Sequence, residues 1–398
     1  MSSSNTNNRR LLFYIAVSFF WFSLYAYVPF VTPFADYMGA NWRLAGLIAG
    51  AYGFTQMAIR FPLGLLSDKL RRRKIFVQIG LGVAAVGAFL AFFFPSPYML
   101  LVMRGLGGVA ASAWVTFTVL GASYYGKDQA PKAMGRMSSA NAFGRMAALL
   151  LGGVIAQQFG VTYAFLLGGV AGLLGLAVSF GVEEKRPEDI RPPKTPSTTP
   201  GEHSPPLLNI LKNKQLICCS VLGILAMYIS FATTFGFTPL AATQLYASQW
   251  QLAFLGVMST APAIFIAPLA GTIMPKKLGV AATLAIGFII AGVGSALVAV
   301  SNTLPALFAV QIAGSMGGAI VGTLLMGLCI RDISAEKRAT AMGFYQAVYG
   351  LGMFLGPFVT GQISYHAGLM AAFVFTGGIG LMGAVLSVGF AVKKWVKF

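Results

Sequence analysis

Long apolar runs alternate with short polar breaks along almost the whole chain. They fall at 11–35, 43–67, 75–95, 97–120, 136–157 and 162–182, and then at 215–240, 251–274, 280–301, 304–328, 339–363 and 369–392. A helix of about 20 residues crosses a hydrocarbon core of about 30 Å, and every run meets that length. The runs are much longer than a barrel strand of about ten residues and show no strict alternation, so the pattern predicts helices. It predicts an all-α membrane protein with twelve transmembrane helices, six on each side of one polar break. That break, VEEKRPEDIRPPKTPSTTPGEHSPPLLNILKNK at 182–214, is rich in proline, charge and small polar residues and reads as a linker. The expected organisation is a six-helix half over 1–182, a cytoplasmic linker over 183–214 and a second six-helix half over 215–398.

Composition excludes soluble classes. Of 398 residues, 57% are hydrophobic and 10% charged, where a soluble domain carries about 25% charged residues. The 28 Lys and Arg against 10 Asp and Glu give a formal net charge of +18, which in a soluble chain would suggest nucleic acid. With the N-terminus inside, the basic residues sort to one side instead. Arg9, Arg10, Lys69, Arg71, Arg72, Arg73, Lys74, Lys127, Lys132 and Arg136 fall there, as do Lys276, Lys277, Arg331, Lys337, Arg338, Lys393, Lys394 and Lys397. The opposite loops hold only Arg43. Cytoplasmic loops show this bias, so the charge implies a lipid bilayer and no nucleic acid. Both termini are expected in the cytoplasm of a multi-pass protein of the cell (inner) membrane. The polar start MSSSNTNNRR and an apolar run continuing to about Ala35 predict a retained first span.

Nothing in the chain calls for a cofactor or a metal. Cys218, Cys219 and Cys329 form no disulfide framework, and His203 and His366 lie in separate loops away from them. No G-x-x-x-x-G-K-[ST] loop occurs, so ATP is not the expected driving force. The apolar runs offer no nucleophile with a base, so an enzyme is not expected.

The two halves repeat. AMG at 133–135 recurs at 341–343, and the same offset of 208 carries Gly144 onto Gly352, Gly153 onto Gly361, Gly160 onto Gly368 and Phe165 onto Phe373. Two halves in the same orientation imply parallel repeats, a design that puts the substrate near the midplane between them.

GLLSDKLRRRK at 64–74 resembles the signature between helices 2 and 3 of the major facilitator superfamily, with Gly64, Asp68, Lys69, Arg72 and Arg73 matching and Arg71 replacing the second glycine. MRGLGGVAAS at 103–112 resembles the helix 4 signature of that family through Arg104 and Gly108. The proline–glycine signature common in its antiporters is kept in helix 11 as Gly356-Pro357, whereas Ala148-Leu149 stand in its place in helix 5. The resemblance covers residues 10–392. It implies a monomeric secondary transporter that moves a small-molecule substrate by alternating access with a coupling ion, a proton. In the family the helix 4 arginine is often tied to proton coupling. Electrostatics adds a gate: Asp68 is expected to face the positive N-terminus of helix 11 near SAEKRATAMG (334–343), with Gly343 allowing close approach.

Charge inside a bilayer is costly and marks function. Arg60, Arg104 and Arg145 lie within spans 2, 4 and 5. Tyr52, Gln56 and Arg60 share a helix face, as do Asn141 and Arg145. Arg60 and Arg145 are expected to form an anion site, with Gln56, Asn141, Tyr349, Tyr345, Gln311 and Tyr25 as polar or aromatic partners. No carboxylate lies deep in a span; Asp36, at the outer end of helix 1, is the nearest and is positioned to neutralise Arg104. The expected substrate is therefore a small anionic or neutral amphipathic solute. The alternative is a broad exporter of hydrophobic compounds that uses Trp21, Phe22, Tyr25 and Tyr27; a non-transporting sensor with the same fold is a remote third.

Overall fold

A computed structural model of the protein describes residues 3–70, 72–124, 130–184, 213–331, 333 and 338–393. The described residues are helical and contain no strand. Helix α1 runs over Ser3–Tyr25 and resumes as Val31–Tyr37 after a 3-10 turn at Val28–Phe30. Helix α2 is Trp42–Leu70, α3 is Lys74–Phe93, α4 joins Pro97–Ser112 to Trp114–Ser123, α5 is Ala130–Phe159 and α6 is Val161–Phe180. In the second half α7 joins Lys214–Ala232 to Thr238–Gln244 through a π-helical turn at Thr233–Phe237. Helix α8 joins Gln249–Met258 to Pro262–Leu278, α9 is Val280–Val298 and α10 is Leu304–Arg331. The last stretch, Arg338–Val392, breaks at Gly368 into α11 (338–367) and α12 (369–392).

Ten of these stretches are long and apolar enough to cross a membrane, one of them being the α11–α12 pair. The twelfth helix is α2, whose 29 residues include Arg43, Gln56, Arg60 and Lys69. The breaks have local causes. Gly160 and Gly368 take φ of 103° and 83°, values that L side chains avoid, and each turns the chain between consecutive spans. Pro262 starts the second part of α8, where its missing N–H is tolerated.

The repeat expected from the sequence is a repeat of packing. Gly144 of α5 lies against the backbone of Ser18 in α1, and its counterpart Gly352 of α11 lies against the backbone of Ile224 in α7. Across the halves, a side-chain carbon on Gly361 of α11 would meet Trp42 O of α2 at 2.7 Å. One on Gly153 of α5 would meet Trp250 Cε3 of α8 at 3.2 Å. Trp42 and Trp250 are themselves 208 apart, so both cross-half seams use the same glycine–tryptophan pairing. In lipid, apolar burial gives helices little reason to associate, and such small residues supply close van der Waals contact.

The described contacts between the halves gather at one end. At the Trp42 end, Thr32 Oγ1 donates to Gly236 O at 2.5 Å and Trp250 N donates to Gln157 Oε1 at 3.3 Å. Gly50 and Gly53 of α2 pack on Phe354 and Met353 of α11. At the Lys69 end, a side-chain carbon built on Gly64 or Gly343 would meet no atom within 4 Å. The close approach expected at Gly343 involves the Asp68 side chain and residues 334–337, which lie outside the described residues. Lys69, Arg72, Lys276, Lys277 and Arg331 all sit at that open end. The Asp68 side chain, Arg71, Lys127, residues 185–212 of the linker, Ser334–Lys337 and the last five residues lie outside what is described.

Candidate functional site

The first-half arginines gather around tyrosines rather than carboxylates. Helix α4 presses on α2 because Gly108 faces the backbone of Tyr52 and Gln56, and Thr55 Oγ1 donates to Gly105 O at 2.8 Å. That contact brings Arg104 over the Tyr52 ring, with Cζ 4.6 Å from the centroid. Arg145 lies over the Tyr25 ring in the same way, at 4.4 Å. Tyr52 is within electrostatic reach of Arg60, Arg104, Arg145 and Tyr25, so three spans deliver their cations to one aromatic group. A guanidinium over a ring is drawn to its negative face, more strongly when desolvated.

Burial leaves part of this charge unanswered. Arg60 is 6% and Arg104 5% exposed, and the Nε atoms of Arg60, Arg104 and Arg145 are sealed without a hydrogen-bond partner. Gln56 Oε1 and Asn141 Oδ1 are sealed and unpartnered as well. No carboxylate among the described residues pairs with these arginines. Asp36 does not neutralise Arg104: it is exposed at the outer end of α1, where its Oδ1 accepts from Trp42 Nε1 at 3.1 Å.

The tyrosines lead into the second half. Tyr25 and Phe235 are edge-on at 6.1 Å, Phe235 and Phe231 lie 4.9 Å apart, and Phe231 stacks on Tyr52 at 6.2 Å. Phe235 belongs to the π-helical turn of α7, a departure from regular helix often found at functional positions. Behind it a cavity of about 210 Å³ opens among α7, α8, α9 and α10. Among the described residues that line it, Arg145 is the only charged one, and the others are apolar or carry hydroxyls and the amide of Gln311.

Gln311 organises that lining. Its Nε2 donates to Thr234 Oγ1 at 2.8 Å and to Ser259 Oγ at 2.9 Å. The sequence pointed to Arg145, Tyr25 and Gln311, which border this cavity or touch its lining, but not to Ser230, Thr234, Ser259 and Ser315. Their signal was faint: hydroxyls inside apolar runs, with Ser315 one turn from Gln311. Other expected residues sit elsewhere. Arg60 and Gln56 stay on the α2–α4 side, and Tyr345 is sealed in the second-half core against Gly223. Tyr349 is half-buried and edge-on to Tyr345 at 5.2 Å. Gly356 and Pro357 belong to helix seams, Gly356 on Tyr228 of α7 and Pro357 on Gly46 of α2. No group of three or more His, Cys, Asp or Glu placed to hold a metal ion occurs among the described residues.

The profile of the Major Facilitator Superfamily matches residues 13–282 and 221–394. An uncharacterised MFS-type transporter of Methanocaldococcus jannaschii is 23% identical over 90% of this chain and 92% of its own. The multi-drug resistance efflux pump PmrA of Streptococcus pneumoniae is 32% identical over 36% of each chain. Among solved structures, a bacterial homologue of the human lysosomal transporter Spinster superposes with a TM-score of 0.79 at 14% identity, covering 100% of both chains.

Proposed function

The chain belongs to the major facilitator superfamily, and from that premise we propose a secondary active transporter for an organic anion or a neutral amphipathic solute. It works by alternating access and couples to protons, as a monomer in the cytoplasmic membrane. Its two halves span 1–182 and 215–398, joined by a cytoplasmic linker, and both termini are cytoplasmic. The Lys69 end, with its basic residues, is then the cytoplasmic one, and the conformation described is open inward.

One observation carries the substrate class: two buried guanidiniums, Arg60 and Arg104, and a half-buried one, Arg145, all with sealed, unpartnered Nε atoms and no carboxylate among the described residues to meet them. A cation would add to that repulsion, whereas a carboxylate or phosphate offsets it and matches the guanidinium fork. Gating at Gly64, Asp68, Lys69, Arg72 and Arg73 against α11, and coupling through Arg104, belong to the same reading.

Thermal shift of the purified protein against organic anions, organic cations and neutral amphiphiles tests it, because a bound ligand raises stability by mass action. Anions are expected to stabilise the parent. Arg60→Lys or Arg145→Lys should weaken the effect, and Arg60→Gln or Arg145→Gln should weaken it further. Equal anion response in both Gln variants removes the arginines from the site.

The match to an efflux pump and the aromatic row Trp114, Trp21, Tyr25 and Phe235 support a second reading, a broad exporter of hydrophobic compounds. Stabilisation by cations and neutral amphiphiles but by no anion would favour it.

A further inference from the structure

The Gln311 amide turns its nitrogen to a group of hydroxyls. An amide can be turned to exchange its oxygen and nitrogen, and the contact of Ser259 with Leu255 favours the nitrogen on this side. Ser259 donates its only hydroxyl proton to Leu255 O at 2.7 Å. With that proton on Leu255 O, Ser259 accepts from Gln311, and the amide nitrogen is the group placed 2.9 Å away. The second amide proton goes to Thr234 at 2.8 Å. Ser315, at 3.5 Å, is a marginal third contact.

This accounting leaves Gln311 Oε1 with nothing to accept. The residue is 5% exposed and lines the cavity, yet no described residue donates to its oxygen. Unlike the enclosed oxygen of Gln56, it is not among the sealed atoms, so it reaches the cavity space. The cavity thus pairs one positive group, Arg145, with one buried acceptor, Gln311 Oε1. A buried acceptor without a donor costs free energy, and a ligand that supplies the donor recovers it.

We propose that the transported solute is an organic acid that also carries an O–H or N–H donor, its acid group on Arg145 and its donor on Gln311 Oε1. This rests on the anion reading above and narrows it. Plain alkyl carboxylates satisfy Arg145 and leave Gln311 unanswered. An ether or ester oxygen would face Oε1 acceptor to acceptor and be rejected. Selectivity by such a buried group exceeds what an apolar wall provides.

The test uses ω-hydroxyalkanoates of increasing chain length, each against the unsubstituted alkanoate and the ω-methoxyalkanoate. Apparent affinities come from thermal-stability titrations of the purified full-length protein. At the chain length that fits, the hydroxy acid should bind ~5–10-fold tighter than the alkanoate, and the methoxy acid should be weakest. In Gln311→Leu the preference for the hydroxy acid over the alkanoate and the methoxy acid should be lost. In Arg145→Gln all three should weaken together. Equal parental binding of hydroxy, methoxy and unsubstituted acids, with loss on Arg145→Gln, overturns the donor requirement and leaves the anion site standing. If no acid stabilises the parent at any length, the anion reading fails and this inference with it. The comparison of hydroxy with methoxy acids needs only the parent, so the outcome does not depend on the Leu variant folding.

Discussion

The guanidinium of Arg104 stands over the ring of Tyr52, 4.6 Å from its centroid, and so joins two spans of the first half through a cation and a π face. Tyr52 in turn stacks on Phe231 of the second half, with the rings 17° from parallel. A buried charge from α4 is thereby linked, through one side chain of α2, to the helix that lines the cavity. Any shift of α7 that unstacks Phe231 changes the surroundings of Arg104.

Tyr52→Leu should lower stability by about 1–2 kcal/mol, the scale of a desolvated cation–π contact, and reduce transport. Tyr52→Phe keeps the ring and should stay close to the parent in both. Paired thermal melts and proteoliposome flux decide the matter: equal behaviour of the Leu and Phe variants would show that the ring face does not hold Arg104.

Gly361→Leu should open the Trp42 end, because a side chain there strikes Trp42 O and Gly46 of α2. Spin labels placed across that end, at Asn41 and Gln244, should report a longer separation than in the parent. An unchanged distance distribution in a folded variant would mean that the α2–α11 seam does not close this face.

Thr32→Val removes the donor to Gly236 O and should shift the balance toward the outward-open state by about 1 kcal/mol. The same label pair should show the longer distance more often than in the parent, though less completely than in Gly361→Leu. The reverse order of effects would count against the hydrogen bond as a closing contact.

Glu184 caps α3, its carboxylate accepting from Arg73 N and from Lys74 N. Glu184→Ala should cost about 1 kcal/mol, as losing a helix cap usually does. Glu184→Gln should retain part of that. Melting temperatures of the three proteins check the order, and a neutral Ala variant would show that the cap is replaced by solvent.

Single cysteines at Asn41 and Gly160, in a background without Cys218, Cys219 and Cys329, should react with an impermeant thiol reagent added to intact cells. One at Lys276 should not. All three positions are exposed, so burial cannot mimic a wrong orientation, and labelling of the Lys276 variant would reverse the assignment of the two ends.

Span number, the twelve-helix class and the repeat were written in the sequence because each follows from local pattern. Apolar length fixes a span, and an offset of 208 aligns Gly144 with Gly352 and Gly160 with Gly368 without any knowledge of contacts. Intramembrane arginines were equally legible, since charge in an apolar run is conspicuous by its cost. Their partners were not. Arg104 seemed positioned for Asp36, yet the glycine contact between α2 and α4 turns it to Tyr52, and Asp36 serves Trp42 instead. That Arg145 also borders the cavity among α7, α8, α9 and α10 was not legible from its position in α5. The lining hydroxyls of Thr234 and Ser259 were invisible because a serine or threonine in an apolar helix most often bonds back to its own turn. Only the crossing of α7, α8 and α10 brings them to Gln311. Which polar groups face one another depends on helix rotation and crossing. Those are set by close packing at Gly108, Gly153 and Gly361, among residues far apart in the chain.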